Sequence, residues 1–358
     1  MMSIIKKVSW KQWLFWGLNL LLAGLAVVCI LLSRGVTSAL PTLNAAKTWA
    51  GQSGERFAQL ACYLPHDQPI QEETIYTFRY NLLNKLRESS MEAPEGGSLF
   101  TDAYCGMGTL NVAGDRGSAQ VKATGVGGDF FRFHPLPLRS GSYLSDADLM
   151  KDRVILDESL AWKLFGGTDL AGMSVTIGEK VFYVAGVVSR ENDRYSKEAY
   201  TDGEGMFLAF STLKELEESA GITCYEIVLP DPITGFGKNM LKDSFPVGSG
   251  VVVENSRRYA ISNLLQVVRD FGKRSMGVSG IVYPYWENAA RLTEDYSALL
   301  LVLTVLFSVC PAVSLLVAAI RGAIRLIHTA RIKTKTAVEN RIEAKREKKW
   351  QRTAGKKD

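Results

Sequence analysis

The sequence predicts an α+β extracytoplasmic domain anchored by two transmembrane α-helices. Three observations predict this architecture: two long apolar runs, an uneven distribution of charge around them, and mixed strand and helix patterns between them. The chain has 358 residues, of which 47% are hydrophobic and 22% are charged. This composition excludes collagen-like, disulfide-dense and wholly disordered chains.

Each apolar run is long enough to cross a membrane as a helix. Lys11 and Arg34 are separated by 22 uncharged residues, and Asp295 and Arg321 by 25. About 20 apolar residues, each rising about 1.5 Å, span the hydrocarbon core of a bilayer. The first run exceeds the usual signal-peptide core of about 7–15 residues. Arg34 follows it directly, so we expect an uncleaved anchor rather than a signal peptide.

The distribution of charge predicts the topology. Residues 1–11 hold three lysines and no acid, and residues 321–358 hold 13 basic and 4 acidic residues. Residues 12–320 hold 26 basic and 33 acidic residues. Because basic flanks stay in the cytoplasm, both termini are predicted to be cytoplasmic and the main domain extracytoplasmic. The overall charge of +5 therefore comes from the termini and does not indicate nucleic-acid binding.

The chain is predicted to be a protein of the cytoplasmic (plasma) membrane, organised in five parts. They are a basic lead at 1–11, a transmembrane helix at 12–33, the extracytoplasmic domain at 34–295, a second transmembrane helix at 296–320, and a basic tail at 321–358.

Strand and helix signals alternate through the extracytoplasmic domain. Apolar residues between Gln71 and Ser89 recur with the helical period, which predicts an amphipathic helix. Two or three strands are expected near 99–105, 108–113 and 118–127, with a hairpin turn at Gly114–Gly117. Asp157 is a plausible N-cap for a short helix that ends at Gly166–Gly167.

The sequence of the later part of the domain predicts one loop and two helices. Residues 190–204 lack apolar periodicity, so we expect an exposed loop. Thr212 and Glu215 match a capping box that would open a helix. A second helix is predicted over Ser256–Phe271, and its apolar residues on one face are Ile261, Leu264, Leu265 and Val268.

Three of the five cysteines lie in the extracytoplasmic segment, where disulfides can persist. Cys29 and Cys310 lie in the apolar runs and are expected to act as small hydrophobic residues. Cys62, Cys105 and Cys224 allow three pairings and at most one bridge. Cys62–Cys105 is the candidate disulfide, and the absence of any bridge is the open alternative.

Motifs for catalysis are missing from the sequence. There is no Gly-x-x-x-x-Gly-Lys-Ser/Thr phosphate loop, no Gly-x-Ser-x-Gly elbow and no His-based zinc spacing. We therefore predict a protein that is not an enzyme, with no catalytic, cofactor-binding or metal-binding residues.

Two features of the second run and the tail suggest functional roles. Pro311 removes one helix hydrogen bond near the middle of the run, and it is a candidate hinge that couples outer and inner motion. Basic residues beyond the run would attract anionic lipid, each by roughly 1 kcal/mol. They are Arg321, Arg325, Arg331, Lys333 and Lys335.

Four segments in order carry a resemblance to a known family. They read Val-Gly-Gly-Asp-Phe-Phe from 126, Val-Ile-Leu-Asp-Glu-Ser-Leu-Ala-Trp-Lys-Leu-Phe-Gly-Gly from 154, Ala-Gly-Met-Ser-Val-Thr-Ile from 171, and Phe-Tyr-Val-Ala-Gly-Val-Val from 182. In order and spacing they resemble the MacB-like periplasmic core domain of ABC-transporter permeases. The resemblance covers about 60 residues and is to the macrolide-exporter and lipoprotein-release group.

The resemblance implies a fold and a mechanism. The fold is an α+β domain of two subdomains in which Gly166, Gly167 and Gly172 have structural or coupling roles. The mechanism is mechanical: ATP binding in a partner ABC ATPase shifts the membrane helices, and the outer domain moves in response. Family permeases carry one membrane helix before this domain and three after it, whereas one follows here. The sequence thus resembles a permease without the C-terminal three-helix block.

The predicted partners are an ABC ATPase subunit and either a four-helix permease or a second copy of this chain. The alternative function is a stand-alone cell-surface receptor or sensor. Such a protein would bind an envelope component or a protein through its outer domain.

Overall fold

The computed structural model describes residues 9–93, 97–200, 203–274 and 280–354. The chain divides into two units. Residues 33–299 form the first, here named the α/β unit, and residues 1–32 with 300–358 form the second, here named the helical unit.

The helices are α1 (Trp10–Thr37), α2 (Ala45–Ala50), α3 (Glu72–Glu88), α4 (Phe130–Phe133), α5 (Glu158–Phe165), α6 (Arg194–Ala199), α7 (Phe210–Leu216), α8 (Phe236–Ser244), α9 (Ile261–Asp270) and α10 (Tyr285–Ala354). The strands are β1 (Phe57–Tyr63), β2 (Thr101–Gly114), β3 (Gly117–Gly128), β4 (Leu138–Gly141), β5 (Arg153–Asp157), β6 (Ser174–Ile177), β7 (Lys180–Val188), β8 (Gly205–Ala209), β9 (Cys224–Pro230) and β10 (Val251–Glu254). Short 3-10 helices occupy Pro41–Asn44, Asn255–Arg257 and Phe271–Lys273.

The α/β unit is built on one mixed sheet with the strand order β10-β1-β9-β2-β3-β8-β5-β7-β4. The long hairpin of β2 and β3 joins its two halves. β9 pairs with the first residues of β2, and β8 pairs in parallel with β3. The expected two subdomains therefore take the form of two halves of one continuous sheet. β6 lies off this path and pairs with β2 and β7.

Strand alternation divides the β1, β9 and β2 half into two packed faces. One face carries Cys62 and Tyr225, and it packs with Phe78 of the amphipathic helix α3. The opposite face carries Cys105 and Cys224, within the same apolar cluster as Trp286 of α10. The sheet is buried on both sides in this half, so its strands read as nearly continuous apolar runs.

The other half of the sheet is covered by α5 and α7. Leu160 and Leu164 of α5 and Leu213 of α7 are fully buried in one cluster with residues of β3, β5 and β8. The Oδ1 atom of Asp157 accepts a hydrogen bond from the N–H of Leu160 at 2.7 Å, which confirms the predicted N-cap. The helix ends at Gly166, whose φ of 80° is left-handed.

Gly172 is expected to resist substitution by alanine because its φ is 86°. A side chain in the left-handed region costs roughly 1–2 kcal/mol, so Gly172→Ala should lower the free energy of unfolding by about that amount. Gly167 is the matched control. It lies outside the left-handed region, and an added Cβ would meet no heavy atom within 4 Å. Urea unfolding of the purified chain measures both changes. Equal losses of unfolding free energy for Gly172→Ala and Gly167→Ala would show that the left-handed backbone of Gly172 does not cause the destabilisation.

The two or three strands expected over 99–127 are two, β2 and β3, because the segments near 99–105 and 108–113 form one continuous strand. Gly106 lies inside β2, close to the backbone of Gly221. Two local predictions were wrong. The loop expected at 190–204 contains α6, whose Ser196 and Ala199 are buried; residues 201 and 202 lie outside the described residues. Thr212 is not an N-cap, since α7 begins at Phe210.

Two helices are long and apolar enough to cross a membrane, α1 and the long helix α10, and the helical unit contains residues 10–32 of the first and 300–354 of the second. Most of their large apolar side chains are exposed, for example Leu20 and Leu306. The hydroxyl of Thr304 donates to the carbonyl of Leu300 at 2.7 Å, which satisfies this polar group inside the helix. Pro311 lies inside α10, and the helix continues on both sides of it.

Candidate functional site

The first turns of α10 are embedded in the α/β unit. We name residues Tyr285–Asp295, together with the side chains that contact them, the α10 junction. Pro284 precedes the helix, and its carbonyl accepts from the N–H groups of Glu287 and Asn288 at 3.0 and 3.1 Å. Proline is tolerated at this point because the N–H that it lacks would have no intrahelical partner at the start of a helix. All residues of the junction belong to the α/β unit.

A buried arginine forms the centre of the α10 junction. The Nη2 atom of Arg258 lies 2.5 Å from the Oε2 atom of Glu287, and its Nη1 atom lies 3.3 Å from the Oε1 atom of Glu294. Arg258 also donates to the Oδ1 atom of Asn255 at 2.9 and 3.1 Å. The hydroxyl of Tyr63 on β1 donates to Glu287 at 3.1 Å.

Both members of the Arg258–Glu287 pair are removed from water. Their side chains are 0% and 3% exposed. Burial disfavours the charge on Arg258, but the carboxylates of Glu287 and Glu294 outweigh this effect and raise the pKa of Arg258. The junction therefore holds a fixed positive charge between carboxylates of α10.

A second group of contacts lies one turn further along α10. Arg274 forms an ion pair with Glu294, and its Nε atom lies 3.0 Å from the Oδ1 atom of Asp295. The hydroxyls of Tyr259 and Thr293 are hydrogen-bonded at 2.6 Å. Tyr259, just before α9, and Arg274, just after it, are thus both fixed to α10.

An aromatic group connects α10 with the sheet. The ring of Trp286 lies 5.8 Å from that of Phe130 and 4.4 Å from that of His134, measured between centroids. The Nε2 atom of His134 is hydrogen-bonded to the Oε2 atom of Glu226 on β9, and both residues are buried. The sheet, α4 and α10 therefore share one buried polar and aromatic contact.

The segment after β7 contacts the first residue of α10. The hydroxyl of Tyr285 donates to Glu191 at 2.9 Å, and burial together with the Glu191 carboxylate raises the pKa of Tyr285 well above its ordinary value. The phenol therefore stays protonated and remains the donor. The ring of Tyr200 lies 4.5 Å from that of Tyr285, and the guanidinium of Arg190 lies 3.9 Å over Tyr200.

The chain that follows α1 packs against the same turns of α10. Leu40 is buried in one cluster with Ala289 and Ala290 of α10 and Ala199 of α6. The next residues are held to the sheet, because the side-chain amide of Gln59 on β1 donates to the carbonyl of Thr42 at 2.7 Å. The segments adjoining the two predicted spans thus meet inside the α/β unit.

The candidate site residues named from the sequence lie elsewhere. Gly166 and Gly167 end α5, Gly172 precedes β6, and Pro311 belongs to the helical unit. The α10 junction was not predicted from the sequence. A signal was present: charged residues stand immediately before the second apolar run, at helical spacing. They are Glu287, Arg291, Glu294 and Asp295.

The candidate disulfide Cys62–Cys105 is wrong. The two residues lie on opposite faces of the sheet, and both thiols are free. Side chains on opposite faces point away from each other, so they cannot be bridged without backbone movement. Cys224 is the cross-strand neighbour of Cys105 in the register of β2 and β9.

The three buried thiols are expected to be unreactive in the folded protein. Burial raises the pKa of Cys62 to about 12 and that of Cys224 well above its ordinary value, and the thiolate is the reactive form. Treatment with iodoacetamide at neutral pH should leave Cys62, Cys105 and Cys224 unmodified until urea unfolds the chain, as read by peptide mass spectrometry. Tyr80→Cys, at an exposed position of α3, is the reactive control. Rapid modification of Cys62 in the folded state would contradict the burial.

The described part of the chain shows no group of three or more His, Cys, Asp and Glu residues that could hold a metal ion. What the α10 junction provides is a mechanical connection, because ion pairs, hydrogen bonds and aromatic contacts fix a helix to a sheet.

Comparison with known proteins identifies the central part of the chain. Residues 101–235 match the family model of the MacB-like periplasmic core domain. This stretch is a MacB-like periplasmic core domain. It begins at β2 and ends just before α8, so it includes His134, Glu191 and Glu226 of the α10 junction. Arg258 and α10 follow the matched residues.

Two solved structures are similar to part of the chain. The periplasmic region of MacB from Actinobacillus actinomycetemcomitans is 16% identical and has a TM-score of 0.42; the match covers 59% of this chain and 92% of that one. The extracellular domain of the ABC-type transporter YknZ from Gram-positive bacteria is 17% identical, with a TM-score of 0.35, over 52% of this chain and 88% of that one. No match was found among curated protein sequences.

Proposed function

We propose that this chain is a membrane subunit of an ABC-type transport or mechanotransmission complex. Its outer domain would move in response to ATP binding by a partner ATPase. The observation that carries the proposal is the burial of Arg258 between Glu287 and Glu294 of α10. The presence of a MacB-like core domain supports it.

The energetics of the α10 junction favour rigid coupling. Removing one partner of a buried ion pair costs about 3–5 kcal/mol, because the other charge is left without compensation. Sliding α10 relative to the sheet would incur that cost at Arg258 and would also break the hydrogen bond between Tyr63 and Glu287. A displacement of α10 is therefore accommodated most readily when the α/β unit moves with the helix.

In this proposal the energy source is a partner ATPase. The sequence has no phosphate-binding loop of the Gly-x-x-x-x-Gly-Lys-Ser/Thr type. A ligand or nucleotide shifts a conformational equilibrium only through differential interaction with the two states. We propose that the ATPase binds the two conformational states differently at the cytoplasmic side. Helix α10, with Pro311 as a hinge, would transmit the resulting conformational change to the outer domain.

The proposed topology is a two-pass protein with both termini in the cytoplasm. The basic lead and the basic tail support this orientation by the positive-inside rule. The tail would also bind anionic lipid through Arg321, Arg325 and Lys333. A four-helix permease or a second copy of this chain would complete the complex, and nucleic acid is not a partner.

Affinity purification tests the proposed function. The chain would carry a C-terminal tag, be extracted in mild detergent and have its co-purifying proteins quantified by mass spectrometry. We expect stoichiometric recovery of an ABC ATPase. A two-span protein of unrelated sequence, tagged and extracted in the same way, controls for non-specific recovery. Recovery of the chain alone or with a signalling protein would contradict the proposal and favour a stand-alone receptor.

A further inference from the structure

Helix α9 carries an apolar stripe that the α/β unit does not cover. Ile261, Leu265 and Val268 are 66%, 55% and 39% exposed, whereas Leu264 and Val267 are buried. At about 100° per residue, the three exposed side chains fall within a sector of about 60°. Phe271, directly after α9, is 62% exposed. The apolar face is therefore wider than the part that packs on the domain.

Both ends of α9 are fixed to one turn of α10. Before α9, the hydroxyl of Tyr259 contacts Thr293 at 2.6 Å. After α9, Arg274 pairs with Glu294 and lies 3.0 Å from Asp295. These contacts place α9 beside residues 293–295, which immediately precede the second apolar run.

That turn of α10 lies at the depth of the lipid headgroups if the apolar run spans the membrane. The hydrocarbon core is about 30 Å thick and the whole bilayer about 40–45 Å, which leaves about 5–8 Å for each headgroup layer. A helix rises about 1.5 Å per residue, so residues 293–295 lie within about 5 Å of residue 296. The helix beside them is then at the membrane surface.

The charge of the α9 segment complements an anionic lipid surface. Residues 257–274 contain five basic residues and a single acid, Asp270, and two of the five, Arg258 and Arg274, are already paired with carboxylates of α10. Arg257, Arg269 and Lys273 are exposed, and the Arg269–Asp270 pair is a surface contact at 3.3 Å. An apolar stripe beside basic residues on a helix of low overall hydrophobicity is typical of interfacial helices.

We propose that α9 lies in the headgroup layer of the outer leaflet and buries its apolar stripe in lipid. The stripe consists of Ile261, Leu265, Val268 and Phe271. This inference rests on the proposed topology, because it requires α10 to cross the membrane directly after Asp295. A lipid contact at α9 would hold the α10 junction at a constant depth.

Spin labelling of the full chain in nanodiscs that contain anionic phospholipid tests this inference. The labelled variants are Leu265→Cys on the stripe, Gln266→Cys on the polar side one residue away, and Leu306→Cys within the second apolar run. Cys29 and Cys310 are replaced by alanine. Collision rates with oxygen and with a water-soluble nickel chelate report the depth of each label. We expect oxygen to exceed nickel several-fold at positions 265 and 306, and the reverse at position 266.

The three positions separate the possible failures. A water-like ratio at position 265 with a lipid-like ratio at 306 would overturn the inference about α9 and leave the topology intact. A water-like ratio at 306 would overturn the topology and the inference together. Low accessibility of position 265 to both reagents, or dipolar broadening between copies, would show a protein partner on the stripe instead of lipid.

Discussion

The substitution Arg258→Met is expected to lower the free energy of unfolding of the α/β unit by about 3–5 kcal/mol. The loss arises because Glu287 would be left buried without its cation, so that it must either keep an uncompensated charge or take up a proton, whereas Glu294 retains its pair with Arg274. Methionine retains much of the volume of arginine, so a cavity is a minor part of the effect. The measurement is urea unfolding of the purified full chain, and the reaction of the buried thiol of Cys62 is the readout of unfolding.

Arg139→Met is the matched control for this substitution. Arg139 pairs with Glu158 at 3.2 Å, but its side chain is 53% exposed, and an exposed pair contributes about 0–1 kcal/mol. Adding Glu287→Gln to Arg258→Met should recover part of the stability, since the uncompensated buried charge is then removed while Glu294 keeps its pair with Arg274. A loss below about 1 kcal/mol for Arg258→Met would show that the Arg258 cluster does not hold α10 to the sheet.

Asp157→Ala is expected to destabilise the α/β unit by about 2–4 kcal/mol. The carboxylate accepts from the N–H of Leu160 at 2.7 Å and from that of Gly205 at 2.7 Å, and it pairs with Arg190 at 2.6 Å. Loss of an N-cap costs about 1 kcal/mol, and hydrogen bonds to charged groups contribute about 1.5–3 kcal/mol. The same urea titration with thiol reaction at Cys62 measures the change.

Asp193→Ala provides the comparison for Asp157→Ala. Asp193 is also an N-cap, and it accepts from the N–H groups of Tyr195 and Ser196 at 2.9 Å at the start of α6. We expect a loss of about 1 kcal/mol from the cap alone. Similar losses for the two variants would mean that the contacts of Asp157 with Arg190 and Gly205 do not contribute.

The sequence predicted the local elements of the fold where the signal is local. The helical period of α3, the turn between Gly114 and Gly117, and the N-cap at Asp157 each depend on residues close together in the chain. Whether the segments near 99–105 and 108–113 form one strand or two could not be decided locally, because a glycine in a strand, here Gly106, also serves close packing against a distant backbone. That neighbour, Gly221, is far away in sequence.

The α10 junction could not be predicted in the same way. Arg258 and Glu287 are 29 residues apart, and Glu226 meets His134 across 92 residues. Such pairs depend on the register of the sheet and on the path of the chain into α10, which no local pattern specifies. The charged residues before the second apolar run were the available signal. They indicated which residues of α10 make buried polar contacts, but they did not indicate the residues that those side chains contact.

The most direct test of the proposed coupling is a distance measurement in the assembled complex. The chain with Tyr80→Cys, an exposed position on α3, and with Cys29 and Cys310 replaced by alanine, would be spin-labelled, purified with its partner ATPase and placed in nanodiscs. Distances from this label to one on a neighbouring subunit would be recorded with and without a non-hydrolysable ATP analogue, with a label pair within one α/β unit as the invariant control. The proposed coupling predicts a shift of the intersubunit distance on nucleotide binding and a constant distance within the unit. An intersubunit distance that is the same in both nucleotide states would contradict it.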